Sequence, residues 1–253
     1  MTIRNVDQIQ YDCMSNLANN WWDRKNSMFA LQAFNKVRVP FVCEQLERLG
    51  KISNAKSSNA LEGLKILDVG CGGGIFSEGL ARLGAQVVGI DPVDKVIETA
   101  KKHAATQNGI KDRVEYFSAT IEEHASEFPG FYDIIVCSEV IEHVSDQKSF
   151  IDGCAKALKS HGDVFFSTPT RTIASFILIY LIGEMIFNLI PRFCHNFAWF
   201  VHEDTLSEML LKHGIVKRKV KGYIYIPIIG IWISFGYTGL FYIMHGTRAG
   251  EGF

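Results

Sequence analysis

The run Ile66-Leu67-Asp68-Val69-Gly70-Cys71-Gly72-Gly73-Gly74, followed by Val87-Val88-Gly89-Ile90-Asp91, constrains the fold more than any other part of this 253-residue chain. It reads as a buried strand, a glycine turn opening a helix, and a second strand ending in an acid, which is one half of a nucleotide-binding α/β sheet. Glycines at 70, 72 and 74 let the backbone take positive φ and leave no Cβ between the main chain and whatever lies on it. A flat, polar ligand is therefore expected against the turn. Asp91 stands where a carboxylate would accept hydrogen bonds from both hydroxyls of a ribose.

Two cofactor chemistries use such a turn, and the spacing separates them. Dinucleotide sites favour G-x-G-x-x-G, whose loop and helix N-terminus hold a pyrophosphate. Here the pattern is Asp68-x-Gly70-x-Gly72-x-Gly74, with an acid at the turn. A carboxylate at 68 would repel a pyrophosphate but suits the ammonium of a methionine moiety. In this the segment resembles motif I of the class I S-adenosylmethionine-dependent methyltransferases.

Downstream, extended and helical stretches alternate: strands at 65–69, 86–90, 114–118, 132–136 and 163–168, helices at 74–83, 94–106, 121–127 and 146–159. Such alternation predicts an α/β fold with a parallel sheet. The methyltransferase resemblance implies a Rossmann-like, mostly parallel seven-stranded sheet with helices on both faces, N-terminal helices and an apolar insertion after strand five. Residues 1–60 read as a helical cap and linker, with helical spacing at 9–20 and 30–50 and a polar stretch at 51–60; residues 61–253 read as the methyltransferase domain. The net charge of -1 leaves no basic stripe for nucleic acid. Six cysteines without a C-x-x-C pair read as reduced thiols.

Ligands of such sheets sit beyond the carboxyl ends of the strands, so Gly70, Asp91, Cys137 and Ser138 are expected to line one crevice. Ser138 opens a second cluster, Ser138-Glu139-Val140-Ile141-Glu142-His143. If a helical turn starts there, Glu139, Glu142 and His143 share one face. Two carboxylates and an imidazole suit Mg²⁺, Mn²⁺ or Zn²⁺. Acids near a helix start are also favoured by the macrodipole alone, and that alternative stays open.

Together with Asn20-Trp21-Trp22-Asp23, Phe34-Asn35-Lys36-Val37-Arg38 and Gly162-Asp163-Val164-Phe165-Phe166-Ser167-Thr168, these motifs are similar to the ubiquinone-biosynthesis O-methyltransferase family over about residues 18–247. The resemblance implies that Arg38, Asp68, Gly70, Gly72, Asp91 and Ser138 serve S-adenosylmethionine. Ser138 departs from the family, where a larger apolar residue is usual. It also implies a divalent metal, Mg²⁺ first, held by Glu139, Glu142 and His143. His143 and His195 are the candidate catalytic histidines, the latter as proton acceptor, although Phe193 and Cys194 before it depart from the family pattern. Implied partners are polyprenylated catechol and hydroquinol substrates, a membrane surface and other quinone-biosynthesis proteins. The implied place is the matrix face of the mitochondrial inner membrane, or the cytoplasmic membrane face in a bacterium.

An apolar block from Ile173 to Ile190, within a stretch read as a lid over 170–200, is interrupted by Glu184 and Asn188 and ended by Pro191. It suits a lid helix lying on or partly in a bilayer surface better than one crossing it, and a buried helix of the core stays open as the alternative. A second apolar stretch, Tyr223 to Phe241, is expected to line the same tunnel. A methyltransferase with another small acceptor and a non-catalytic lipid-binding scaffold are the competing readings.

Overall fold

The computed structural model describes residues 8–23, 28–176 and 197–250. The helices are α1 (Gln8–Leu17), α2 (Phe29–Arg48), α3 (Ile75–Ala81), α4 (Asp94–Ala105), α5 (Ile121–Glu127), α6 (Gln147–Ala157), α7 (Ile173–Phe176) and α8 (Glu203–Leu211). The strands are β1 (Lys65–Val69), β2 (Gln86–Asp91), β3 (Val114–Ser118), β4 (Tyr132–Ser138), β5 (Leu158–Pro169), β6 (Ile215–Ile226), β7 (Ile231–Phe235) and β8 (Phe241–Arg248). They form one sheet in the order β3-β2-β1-β4-β5-β8-β6-β7.

β1 to β5 are parallel neighbours, while β8 runs antiparallel between β5 and β6. The sheet thus has eight strands rather than the expected seven. The addition is β7, which hydrogen-bonds to β6 from Gly222↔Phe235 to Ile226↔Ile231. The stretch 223–241 therefore holds an edge hairpin, whose turn is made by Pro227 to Gly230, where Gly230 has φ 64.

Period-two alternation in the strands feeds two cores. Ile66, Ile134 and Val136 face α2, α3 and α4, where Phe34, Phe41, Phe76, Leu80 and Ala100 are buried. Leu67, Ile135 and Cys137 face α5, α6 and α8, with Ile121, Phe150, Ile151, Leu206 and Leu210. Side chains at i and i+1 of a strand point to opposite faces, so an unbroken apolar run is what a sheet covered on both sides requires. Each buried Leu, Ile or Phe contributes about 1.5–3 kcal/mol.

Strand order reverses between β1 and β4, and a crevice opens beyond their carboxyl ends. Cys43, Cys71, Cys137 and Cys154 are free and buried, as expected of reduced thiols. Cys13 departs from that expectation and is disulfide-bonded. The block Ile173–Ile190 lies outside the described residues beyond Phe176, and His195 lies outside them altogether.

Candidate functional site

The glycine turn is built as the sequence predicts, with φ of 69, 52 and 87 at Gly70, Gly72 and Gly74. Its Cβ-free surface is in close contact with the chain itself. A Cβ on Gly70 would meet Val140 Cγ2 at 2.3 Å, and Cβ atoms on Gly72 and Gly73 would run into the Trp21 indole. Trp22 Nε1 donates to the Gly73 carbonyl at 2.8 Å, and its ring stacks on His103 at a centroid distance of 3.4 Å. The Trp-Trp pair is thus a structural partner of the turn, a role that its sequence position alone does not reveal.

Asp91 holds this loop as well as facing it. Its Oδ2 accepts from Gly72 N at 3.1 Å and its Oδ1 from Val93 N at 2.9 Å. Asp68, at the end of β1, is 2 % exposed and accepts from Ser77 Oγ at 2.6 Å. Burial pushes both carboxyls up to about 6, against the opposing pull of Ser77 and Arg38 on Asp68 and of the two backbone amides on Asp91.

Arg38 enters from α2 and crosses to the end of β4. Its Nη1 donates to Ser138 Oγ at 2.7 Å and its Nε to Asn35 Oδ1 at 2.7 Å, with the guanidinium 4.2 Å above the Phe76 ring. Burial lowers its pKa to about 10, with Asp68 and Glu139 opposing the shift, so it remains a cation at neutral pH.

The second cluster does not take the expected form. Glu139 has φ 58, in the left-handed region, and only Ile141–His143 makes a 3-10 turn. A left-handed residue cannot continue into the next helical turn, so Glu139, Glu142 and His143 do not stack on one helical face. Among the described residues no three His, Cys, Asp or Glu side chains converge as a metal-ligand set. The Glu139 charge nevertheless acts on Glu142. Glu142 is fully buried; its Oε2 accepts from Thr168 Oγ1 at 3.0 Å, and its Oε1 has no partner among the described residues. Burial and the Glu139 charge push Glu142 well above the carboxylate range, and burial pushes Glu139 up to about 7 despite Arg38 and Ser167.

Ser167 and Thr168, which hold these carboxylates, are absent from the sequence-based candidates. They end β5, one strand over from Ser138, and the carboxyl-end rule that selected Ser138 applies equally to them.

A methyltransferase-domain family matches residues 33–219. The rat mitochondrial ubiquinone biosynthesis O-methyltransferase is 36% identical over 98% of this chain, which spans 71% of the rat protein. The human mitochondrial enzyme of the same name is 37% identical, with 96% of this chain covering 66% of it. That of Bordetella avium is 37% identical, covering 95% of this chain and 93% of its own. This chain belongs to the ubiquinone-biosynthesis O-methyltransferase family. As a member, it is an S-adenosylmethionine-dependent methyltransferase. Solved structures agree on the fold: the magnesium protoporphyrin IX methyltransferase from Synechocystis with bound SAH superposes with a TM-score of 0.65 at 19% identity, covering 95% of this chain and 99% of its own.

Two outcomes follow from Asp91. Asp91→Ala is expected to weaken binding of S-adenosylhomocysteine by about 1.5–3 kcal/mol, the worth of a charged hydrogen bond. Acceptor KM should change little, and calorimetric titration beside steady-state kinetics checks both. The pH dependence has a definite sign. A carboxyl raised in the fold adds stability below its unfolded pKa near ~4 and loses that contribution as pH rises through about 6. The free protein should lose this contribution between those limits. Affinity for S-adenosylhomocysteine should rise over the same window as Asp68 and Asp91 ionise, and calorimetry at acidic and neutral pH reads it.

Proposed function

We propose that this methyltransferase moves the methyl group of S-adenosylmethionine to a phenolic hydroxyl of polyprenyl-dihydroxybenzoate and of demethylubiquinol. The observation that carries this reading is Arg38, a buried cation on Ser138 Oγ at 2.7 Å, with Asp68 on one side and Glu139 on the other. It joins the glycine turn to the carboxylate pair. In this reading Arg38 takes the methionine carboxylate through its forked donors, and Asp68 with a backbone carbonyl of the glycine turn accepts from the ammonium. Asp91 has lone pairs beyond the two engaged by Gly72 and Val93, and these serve the ribose. Ser138 contributes at the edge of the same pocket.

A phenol with a pKa near ~10 is a poor nucleophile at neutral pH. Glu142 is buried with Glu139 half-buried close to it, and Glu142 Oε1 is unpartnered among the described residues. Such a pair fits Mg²⁺, with Mn²⁺ or Zn²⁺ as alternatives, since magnesium is commonly held by one or two carboxylates plus water and substrate oxygens. His143 follows directly and would complete the set only if its ring moved toward the pair. A bound cation would lower the pKa of the phenol. The chain supplies the rest, holding the acceptor oxygen in line with the sulfonium methyl at roughly 3 Å. His143 or His195 would take the proton.

The substrate tail and the membrane belong to the same proposal. β6 runs parallel to β5, so the β6–β7 turn projects at the end of the sheet where the crevice opens. Ile228 is 89% exposed there and Ile229 61%, and Ile173 on the same rim is 79% exposed. An exposed apolar tip of this kind suits a bilayer surface. Among the described residues no helix is long and apolar enough to cross a membrane. We place the protein on the matrix face of the mitochondrial inner membrane, or the cytoplasmic membrane face of a bacterium, beside other quinone-biosynthesis proteins. Ile228→Asp with Ile229→Asp should cut co-sedimentation with liposomes several-fold while methylation of a short-chain acceptor persists. Undiminished sedimentation would remove the hairpin from the membrane.

The deciding experiment is methyl transfer from labelled S-adenosylmethionine to a prenylated dihydroxybenzoate, with and without a chelator. Equal use of a tail-less catechol would favour a methyltransferase for another acceptor. Absence of cofactor binding would favour a non-catalytic scaffold.

A further inference from the structure

Ser138 and Ser167 are partners in the β4–β5 register, and their hydroxyls meet at 2.6 Å. Ser138 Oγ accepts from Arg38 Nη1 at 2.7 Å, and Ser167 Oγ donates to Glu139 Oε1 at 3.2 Å. A hydroxyl carries a single proton. With the Ser167 proton on the carboxylate, the proton between the two serines comes from Ser138. The chain of donors therefore has one direction, from Arg38 to Ser138 to Ser167 to Glu139. Ser167 is 3% exposed, whereas Ser138 and Glu139 are half-buried at the crevice. Ser167 also fixes the backbone of Glu139, whose N–H donates to the Ser167 carbonyl at 2.8 Å. Glu139 is thus gripped at two points by one residue while standing at φ 58.

We propose that Ser138 and Ser167 are positioning residues forming a two-hydroxyl relay, through which the Arg38 guanidinium orients the Glu139 carboxylate and keeps the cofactor and acceptor sides of the crevice in register. This rests on the methyl-transfer reading of the crevice. The relay depends on Ser138, because an apolar side chain there has no proton to pass and no lone pair to offer Arg38. Hydrogen-bonded chains headed by an ion polarise along their length, so the last link is stronger than an isolated hydroxyl–carboxylate bond. Glu142 is held separately by Thr168 Oγ1 and stands outside the relay.

The test uses the full chain with Ser138→Ala, Ser167→Ala, the double variant and Ser167→Thr. With a soluble catechol acceptor, each alanine variant is expected to lower kcat by roughly tenfold, about the worth of one buried hydrogen bond, with KM for S-adenosylmethionine within about threefold. Since either change already breaks the relay, the double variant should lie within about twofold of the singles, and Ser167→Thr should restore most of the rate. A readout independent of turnover is the unfolding midpoint of Arg38→Met with and without Ser167→Ala. Arg38 also acts on Glu139 by charge, so the cycle is run with Ser138 and again with Ser138→Ala: a relay makes the Arg38–Ser167 non-additivity vanish when Ser138 is removed, and coupling that persists without Ser138 overturns it. Additive losses, or alanine variants as active as the parent chain, overturn the relay. A parent chain that binds cofactor yet methylates no phenol overturns the function reading instead, and the midpoint cycle still decides the relay.

Discussion

Arg38→Met is expected to weaken S-adenosylhomocysteine binding by roughly 10- to 100-fold, which corresponds to a charged hydrogen bond worth about 1.5–3 kcal/mol. The guanidinium bonds to Asn35 and Ser138, and its charge acts on Asp68 and Glu139. Removing one partner from a buried charge cluster typically costs about 3–5 kcal/mol, because the remaining charges are left without compensation. Here the stability loss should be smaller. Burial already holds Asp68 at about 6 and Glu139 at about 7 with the arginine present, and without it both shift further up and become neutral. The variant should therefore fold at acidic pH and lose stability toward neutral pH more steeply than the parent chain. Calorimetric titration and thermal unfolding at two pH values measure both effects. Unchanged cofactor affinity would show that the methionine carboxylate binds elsewhere.

Much of this fold is legible because its signals are local. The strand at Lys65–Val69 is a continuous apolar run around Asp68, and the turn that follows needs positive φ at Gly70, Gly72 and Gly74, as it has. α5 announces itself through Thr120 and Glu123, whose capping box is formed. β7 is less legible. An Ile-rich stretch with one proline and several glycines fits a tunnel wall as readily as an edge hairpin, and only pairing with β6 decides between them. The carboxylate cluster shows a different limit. Its helical spacing is present in the sequence, yet the chain leaves β4 through a left-handed Glu139, because the Glu139 N–H is still engaged by β5. A non-glycine residue at positive φ carries little local signature. Strain of this kind is retained where surrounding contacts over-determine it, and Ser167 supplies them. The turn's Cβ-free surface likewise reads as a ligand seat, whereas Trp21 from a distant segment covers part of it.

Glu142→Ala should nearly abolish methyl transfer while leaving S-adenosylhomocysteine affinity within a few-fold. Glu142 is fully buried and touches Thr168, not the glycine turn, so its loss does not reach the groups assigned to the cofactor. A carboxylate this deeply desolvated beside a second carboxylate is unfavourable in the free chain, and burial with the Glu139 charge raises its pKa accordingly. An added divalent cation would displace the proton that burial holds on Glu142, so affinity for the ion should rise with pH. Two results then go together. Chelating the parent chain should reproduce the variant's loss of turnover, with recovery on adding Mg²⁺, Mn²⁺ or Zn²⁺. The cation-free Glu142→Ala protein should also have a lower thermal midpoint, because burial holds this acid protonated, and its loss leaves a cavity and Thr168 Oγ1 without its acceptor. Glu142→Gln separates charge from packing, because it keeps the side-chain volume and a carbonyl to accept from Thr168. Full turnover in chelated parent enzyme, or a Glu142→Gln variant as active as the parent, would assign the pair to the architecture of the β4–β5 crevice and leave the phenol to be activated by a base alone.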